Sequence, residues 1–180
     1  MLTSGKDACS VWVLRFLPLI RAGGLVLDLA TGGGRHTRLL LERGYIVDAV
    51  DRDIAALGPL AGPRCRIEAM DLETGGPWPL DRDYDGILVT NYLHRPLLPA
   101  IADALAPGGV VIYETFALGN ERFGRPRNPD FPLLPGELLT AFAALTVVAF
   151  EQGEVISPRP AVLQRIVAIN GPVASLPSFS

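Results

Sequence analysis

The sequence has little of what disulfide-bonded, metal-binding and membrane-spanning proteins depend on. Only two of the 180 residues are cysteines, Cys9 and Cys65, and neither lies in a metal-ligand spacing. No apolar run reaches the roughly eighteen residues needed to span a bilayer. The apolar stretch after Lys6 is interrupted by Arg15 and Pro18, and no signal-peptide cleavage pattern follows it. We therefore expect a cytoplasmic protein with free thiols, no metal and no membrane segment.

The sequence also lacks any block of like charges. Its 16 basic and 19 acidic residues give a net charge of −3, so a basic surface for nucleic acid is not expected. The hydrophobic fraction of 49% is high, but buried parallel strands, apolar on both faces, account for it. A chain of 180 residues is long enough for one well-packed domain. We expect that domain at residues 1–170, with an N-terminal helix at 8–21 and a flexible tail at 171–180.

The stretch from residue 25 to residue 53 carries the main functional signal. An apolar run at 25–30 is followed by three glycines at 32–34, a segment with helical spacing, a second apolar run at 45–50 and then Asp51. This pattern predicts a βαβ unit with a glycine-rich turn at the carboxyl end of its first strand, where open α/β sheets bind ligands. The glycines let a ligand approach the backbone, and the helix amino terminus favours an anionic group. Since a carboxylate after the second strand can accept hydrogen bonds from ribose hydroxyls, we expect an adenosine-containing cofactor.

Details of the glycine-rich turn bear on which cofactor binds there. A nicotinamide fingerprint needs G-x-G-x-x-G, and residues 32–37 supply only its first two glycines. Asp28, within the first strand, would repel a bound pyrophosphate, but it can help to hold the sulfonium and ammonium groups of S-adenosylmethionine. The residues therefore favour S-adenosylmethionine. An NAD(P)-dependent oxidoreductase and a non-catalytic S-adenosylmethionine-binding protein are the alternatives.

The run Asp28-Leu29-Ala30-Thr31-Gly32-Gly33-Gly34 resembles motif I of the class I S-adenosylmethionine-dependent methyltransferases. The resemblance extends over residues 25–114 and implies that Asp51 holds the cofactor ribose and that Asp71 and Leu72 contact the adenine. It also implies an α/β, doubly wound fold with a seven-stranded, mostly parallel sheet in the order 3-2-1-4-5-7-6. The cofactor-binding residues that it implies are Asp28, Ala30, Thr31, Gly32, Gly34, Asp51, Arg52, Asp71, Leu72 and Asn91.

The alternation of apolar runs and turn residues predicts the elements of this sheet. Strands are expected at residues 25–30, 45–50, 65–70, 84–90, 110–116, 145–151 and 161–169. Besides the helix after the glycines, helices are expected at 8–21, 54–60, 97–105 and 135–142, the first of them bent or ended near Pro18. The segment at 117–135 is long, aperiodic and rich in proline, which is typical of a lid or binding loop; a surface loop is the alternative.

Methyl transfer needs little dedicated machinery, because the donor is already activated and the enzyme mainly aligns the acceptor with it. The candidate catalytic residues, at the carboxyl ends of strands four and five, are Asn91, Tyr92, His94 and Glu114. His94 is suited to act as a general base; alternatively, it only starts a helix. Glu114 is costly to bury unless it lines a pocket or pairs with an arginine such as Arg122 or Arg125.

Other residues near the expected site also have two interpretations. Trp12 either packs in the core or helps to cover the cofactor. Arg35 and His36 lie either at the helix start, near the carboxylate of the cofactor, or on the surface. In the lid interpretation of residues 117–135, Phe123 shields the methyl group from water.

The sequence restricts the chemical identity of the methyl acceptor only in part. The run Asn91-Tyr92-Leu93-His94 departs from the Asn/Asp-Pro-Pro-Tyr-like motif of several amine methyltransferases, which argues against methylation of nucleobase amines. No appended domain for recognising a macromolecule is evident, and this favours a small acceptor. Tellurite- and thiol-type detoxifying methyltransferases are similar in size and in the Gly-Arg-His run at residues 34–36. The sequence thus predicts S-adenosylmethionine-dependent methyl transfer to a small molecule.

Overall fold

The computed structural model describes residues 8–75, 78, 80–124, 128 and 130–172. Seven strands form one sheet, namely β1 (Leu25–Leu29), β2 (Ile46–Asp51), β3 (Cys65–Ala69), β4 (Tyr84–Thr90), β5 (Leu105–Phe116), β6 (Thr146–Val155) and β7 (Ala161–Ile169). The α-helices of the described residues are α1 (Val11–Phe16), α2 (Arg35–Glu42), α3 (Leu98–Asp103) and α4 (Glu137–Ala141).

The strand order is β3-β2-β1-β4-β5-β7-β6, as the sequence predicted. Strands β1 to β5 run parallel to one another, whereas β7 is antiparallel to both β5 and β6. Residues 26–29 of β1 and 86–89 of β4 are all buried. Both faces of these central strands are covered, which is why their sequences are continuous apolar runs rather than alternating ones. The doubly wound α/β fold is confirmed.

Apolar side chains form a hydrophobic core on each face of the sheet. On the face covered by α1 and α2, Trp12 and Leu40 belong to one buried cluster with Val26. On the opposite face, Ile101 and Phe142 come from the segments that contain α3 and α4. Trp12 is only 2% exposed, so its interpretation as a core residue is confirmed. With both faces covered, a ligand reaches the central strands at their ends.

The N-terminal helix is shorter than the predicted 8–21. The Ser10 hydroxyl oxygen accepts hydrogen bonds from the backbone N–H groups of Trp12 and Val13 and so fixes the start of α1 at Val11. After Phe16 the chain tightens into a 3-10 helix at Leu17–Leu19, which contains Pro18. Proline has no N–H to continue the α-helical pattern, so the helix ends near Pro18, as its position suggested.

Other predicted boundaries were also wrong. Residues 54–60 form a turn and then a 3-10 helix at Gly58–Leu60, because proline and the residue before it disfavour an α-helix. β5 begins at Leu105 rather than at residue 110, and the register shift opposite Tyr84 accommodates the Pro-Gly-Gly run. A side chain at Gly109 would place its Cβ only 2.5 Å from the Tyr84 carbonyl oxygen, so this close approach requires glycine. β6 extends to Val155 instead of residue 151, since it pairs with β7 up to the hairpin.

Two further expectations concern the chain as a whole. No helix within the part of the chain that the structure describes is both long and apolar enough to cross a membrane. The predicted flexible tail at 171–180 lies outside the described residues, apart from Gly171 and Pro172. That residues 1–170 form one domain stays a prediction.

Candidate functional site

The glycine-rich turn connects β1 to α2 at the carboxyl edge of the sheet. Gly32 and Gly34 have φ angles of 57° and 76°, in the left-handed region that glycine adopts without strain. A Cβ atom added at Gly32 or Gly33 would meet nothing within 4 Å, so this part of the turn is open. At Gly34 the same atom would lie 2.7 Å from the side chain of Leu57. The first N–H groups of α2 follow this open turn, and a helix amino terminus favours a negatively charged group.

Asp28 stabilises the glycine-rich turn through hydrogen bonds. Its Oδ2 accepts hydrogen bonds from the hydroxyl groups of Thr31 and Thr37, at 2.5 and 2.6 Å. The side chain is buried, and burial raises the pKa of its carboxyl group, an effect that the two hydroxyl groups oppose. We predicted that Asp28 and Thr31 contact the cofactor. These contacts stay predictions, and the structure shows that the hydrogen bonds of the buried Asp28 hold the turn together.

Asp51 lies at the end of β2, in direct contact with the glycine-rich turn. Its Oδ2 accepts a hydrogen bond from the Gly32 N–H at 2.8 Å, and its Oδ1 accepts one from the Asp53 N–H at 2.9 Å. The side chain is half-buried, and each carboxylate oxygen has a second lone pair that can accept another donor. Arg52, which follows, is exposed. The structure therefore joins two of the predicted cofactor-binding elements at one edge.

The end of β3 supplies the next acidic residue along this edge. Asp71 is exposed, and its Oδ1 accepts a hydrogen bond from the Glu73 N–H at 2.9 Å. Leu72 is half-buried and packs against the core on the α3 side. The β2–β3 pairing places Asp51 opposite Ala69, so Asp71 follows β3 close to the end of β2. The predicted adenine-contact pair thus lies beside the predicted ribose ligand.

The end of β4 is held in an unusual backbone conformation. Asn91 has a φ angle of 56°, and its N–H donates to the Glu114 carbonyl oxygen at 2.9 Å. Ala30, at the end of β1, has a φ angle of 54°. Non-glycine residues in this region are uncommon and are often found at functional sites. The two strained residues end two neighbouring strands of the sheet, beside the glycine-rich turn.

Tyr92 follows Asn91 and is partly buried. Its carbonyl oxygen accepts a hydrogen bond from the Tyr113 hydroxyl at 2.9 Å, which fixes the chain beyond β4 to β5. Burial raises the pKa of the Tyr92 hydroxyl, and the carboxylates of Glu73 and Asp71 raise it further. Tyr92 is therefore a neutral hydrogen-bonding group near neutral pH and lies close to the acidic end of β3.

His94 lies in a groove of about 230 Å³ at the same edge. It directly precedes a 3-10 helix at Arg95–Leu97, and its carbonyl oxygen accepts the Leu97 N–H at 3.0 Å. The interpretation as a helix-start residue is therefore confirmed, and a catalytic role stays a prediction. The groove is lined by Glu73, Leu93, His94, Arg95, Pro96, Asp130 and Phe131.

Arg95 ties the groove together. Its guanidinium donates two hydrogen bonds to Glu137, at 2.6 and 3.0 Å, and others to the carbonyl oxygens of Asp130 and Pro132. Residues 130–132 of the segment at 117–135 are thereby fixed next to the end of β4. At its start, the Leu118 N–H donates to the Leu133 carbonyl oxygen at 2.9 Å. Whether the residues between these contacts move as a lid stays a prediction.

Glu114 forms a buried ion pair rather than lining an open pocket. Its Oε2 lies 2.6 Å from Nε of Arg165, its partner across the β5–β7 ladder, and Arg165 also reaches Glu151 at 3.3 Å. The expected pairing with an arginine is confirmed, but the partner that the structure shows is Arg165 rather than Arg122. Arg122 pairs with Glu154 instead, and Arg125 lies outside the described residues. Because a buried carboxylate is stable only when paired, the geometry favours a structural role for Glu114.

His36 is the functional candidate whose place the sequence did not reveal. It is only 2% exposed, so the surface interpretation was wrong. Its Nε2 accepts the Ser10 N–H at 3.0 Å, and its Nδ1 lies 3.4 Å from the Thr90 hydroxyl oxygen. Burial and the positive charge of Arg35 lower the pKa of His36 from 6.5 to about 4, so the ring is neutral near pH 7.

Two further contacts attach the chain before α1 to the start of α2. The Arg35 guanidinium donates to the Ala8 carbonyl oxygen at 3.0 Å, and the Cys9 thiol lies 3.4 Å from the Arg35 carbonyl oxygen. We call these contacts, together with the bond from Ser10 to His36, the N-terminal clasp. Within the described residues no group of three or more His, Cys, Asp and Glu side chains could hold a metal ion.

Known structures share this architecture although sequence comparison does not detect a relationship. No family model and no curated protein sequence matches the chain. The structure of TehB from Haemophilus influenzae superposes with a TM-score of 0.71 at 20% identity, covering 90% of this chain; the chain spans 62% of the length of that protein. An S-adenosylmethionine-dependent methyltransferase from Mesorhizobium loti gives a TM-score of 0.69 at 19% identity, covering 92% of this chain and all of the other.

A third structure contains bound small molecules. It is the 1,6-didemethyltoxoflavin-N1-methyltransferase from Burkholderia thailandensis with 1,6-didemethyltoxoflavin and S-adenosylhomocysteine, and it matches with a TM-score of 0.64 at 25% identity over 89% of this chain and 76% of the other. All three share the fold of this chain, whose sheet has the antiparallel β7 between β5 and β6. The fold is that of class I methyltransferases. In this methyltransferase fold, the glycine-rich turn, Asp51 and the end of β4 lie along one edge of the sheet.

Proposed function

We propose that this chain is an S-adenosylmethionine-dependent methyltransferase that acts on a small molecule. The observation that carries the proposal is the contact between Asp51 and the Gly32 N–H, at 2.8 Å. It places a carboxylate beside an open glycine-rich turn and a helix amino terminus, on a fold shared with known methyltransferases. These groups suit the ribose and the carboxylate of the cofactor.

Each end of the cofactor has residues of matching chemistry along the edge of the sheet. Asp51 would accept hydrogen bonds from the ribose hydroxyls, and Leu72 would contact the adenine next to Asp71. The open backbone of Gly32 and Gly33 and the start of α2 would receive the methionyl carboxylate. S-adenosylmethionine supplies an activated methyl group when bound, so the chain itself has to bind, align and shield.

The end of β4 is the proposed place for the acceptor. The exposed Asn91 and the partly buried Tyr92 lie there, and His94 lines the adjoining groove of about 230 Å³. Such a groove accommodates a small molecule rather than a folded partner. The Burkholderia thailandensis structure, which holds a small heterocycle together with S-adenosylhomocysteine, supports an acceptor of that size. We propose His94 as the group that removes a proton from the acceptor. We also propose that the protein is located in the cytoplasm.

Calorimetric titration tests the cofactor directly. The chain should bind S-adenosylmethionine and S-adenosylhomocysteine and should not bind NAD. Asp51→Ala should weaken binding of S-adenosylhomocysteine by about 1–3 kcal/mol, since it removes the carboxylate proposed for the ribose. The exposed Asp53, whose side chain accepts the Ala55 N–H, provides the control variant Asp53→Ala, which should bind nearly as well as the parent.

The outcomes separate the alternatives. Binding of NAD alone would replace methyl transfer with hydride transfer. Equal affinity of Asp51→Ala and the parent would remove Asp51 from the site. Binding of S-adenosylhomocysteine without turnover of any acceptor in a broad screen would favour a non-catalytic binding protein.

A further inference from the structure

His36 contacts three elements that meet at the proposed cofactor site. It is the second residue of α2, and its ring reaches the Ser10 N–H at the start of α1 and the Thr90 hydroxyl at the end of β4. Because the Ser10 N–H donates to Nε2, that nitrogen carries no proton. The proton of the neutral ring is therefore on Nδ1, where it faces the oxygen of Thr90.

Each of these contacts leads to a part of the site. Gly34, the last residue of the glycine-rich turn, lies two positions before His36. Thr90 directly precedes Asn91, whose backbone is strained. Ser10 caps α1 with its side chain while its N–H is held by His36, so one residue sets both the start of the helix and its attachment to α2.

We propose that His36 is a positioning residue that couples the docking of α1 to the geometry of the glycine-rich turn, and thereby to cofactor binding. The proposal rests on the proposed function. The start of α2 cannot shift towards or away from a ligand without moving the imidazole and, with it, the N-terminal clasp. Coupling of this kind is reciprocal, so cofactor binding should in turn stabilise the docked position of α1.

Trp12 provides a reporter for the docking of α1. Its ring is buried, and its Nε1 lies 3.4 Å from the Ile166 carbonyl oxygen on β7. The only other tryptophan in the sequence is Trp78. In a Trp78→Phe background, the emission of Trp12 therefore reports whether α1 remains packed on the sheet, independently of any ligand.

The test compares two substitutions of His36 in this background. In His36→Leu neither polar contact can form, and we expect a red shift of Trp12 emission together with about tenfold weaker S-adenosylhomocysteine binding by calorimetry. In His36→Gln the side-chain oxygen can reach the position of Nε2 and accept the Ser10 N–H. This conservative variant should therefore recover most of the affinity and the parent emission. In the parent, S-adenosylhomocysteine should slow amide hydrogen exchange at residues 10–16.

A control separates coupling from general loss of stability. Phe142→Leu removes volume from the buried core on the opposite face of the sheet and should lower the melting temperature without changing the affinity for S-adenosylhomocysteine. The proposal is overturned if His36→Leu binds as tightly as the parent, or if Phe142→Leu weakens binding equally. Failure of the parent itself to bind S-adenosylhomocysteine would overturn the proposed function instead, so the two failures are distinguishable.

Discussion

Acidification should destabilise the folded chain through His36. Burial and the nearby charge of Arg35 lower its pKa from 6.5 to about 4. Between these pH values His36 is protonated in the unfolded chain but neutral in the folded chain. The free energy of unfolding therefore decreases as the pH falls from about 6.5 towards 4. The whole difference between the two pKa values corresponds to about 3 kcal/mol of unfolding free energy, at about 1.4 kcal/mol for each pKa unit. About 2 kcal/mol of it should be lost between pH 7.5 and pH 5.

Urea unfolding at pH 7.5 and pH 5 of the parent and of His36→Gln measures this contribution. The variant has no titrating group at this position, so its stability should fall by about 2 kcal/mol less over the same interval. Burial raises the pKa of the nearby Asp28, which costs stability as the pH rises rather than falls, and this contribution is common to both chains. His94→Gln, which removes the other histidine, should keep the His36 contribution. Equal losses in the parent and in His36→Gln would refute the reasoning.

Two further predictions concern the stability of the folded chain, both measured by urea unfolding. Glu114→Gln leaves the buried guanidinium of Arg165 without its nearest anion and should cost about 3 kcal/mol. The matched substitution of the half-exposed Glu151 should cost less than about 1 kcal/mol, and similar losses for both would contradict the assignment of a buried pair. Gly34→Ala combines a left-handed φ angle with a clash against a leucine side chain and should cost about 1–3 kcal/mol. Gly33→Ala meets open space and should be tolerated. A loss for Gly34→Ala as small as that for Gly33→Ala would show that the turn adapts and would contradict the prediction.

Local sequence predicted correctly those elements whose ends are marked by nearby turn residues or prolines. β4 and β7 match their predicted ranges because each is an apolar run with a turn residue or proline before it. The order of the sheet was predictable because the motifs of a known family were recognisable. The helix predicted at 54–60 was wrong because the Gly58-Pro59 pair disfavours an α-helix there.

The site was predictable only where chain neighbours define it. Asp51 and the glycines belong to one βαβ unit, so their proximity follows from the topology. The burial of His36 depends on Ser10, 26 residues earlier in the sequence, and no local pattern reports that contact. Arg165 becomes the partner of Glu114 through the antiparallel register of β5 and β7, which is decided by the hairpin as a whole.

Arg95 and the backbone contact between Leu118 and Leu133 secure the ends of the segment at 117–135. This anchoring affects which positions of the protein can change in evolution. Both ends are attached to parts of the structure that the sheet already fixes. Within the described part of this segment, the exposed residues 121–124 can therefore be substituted without disturbing strand register or the cofactor edge, whereas Asn120 is buried and its Oδ1 accepts the Val162 N–H of β7. We expect acceptor preference to diversify among relatives mainly through these exposed residues, while the rest of the framework accumulates changes slowly.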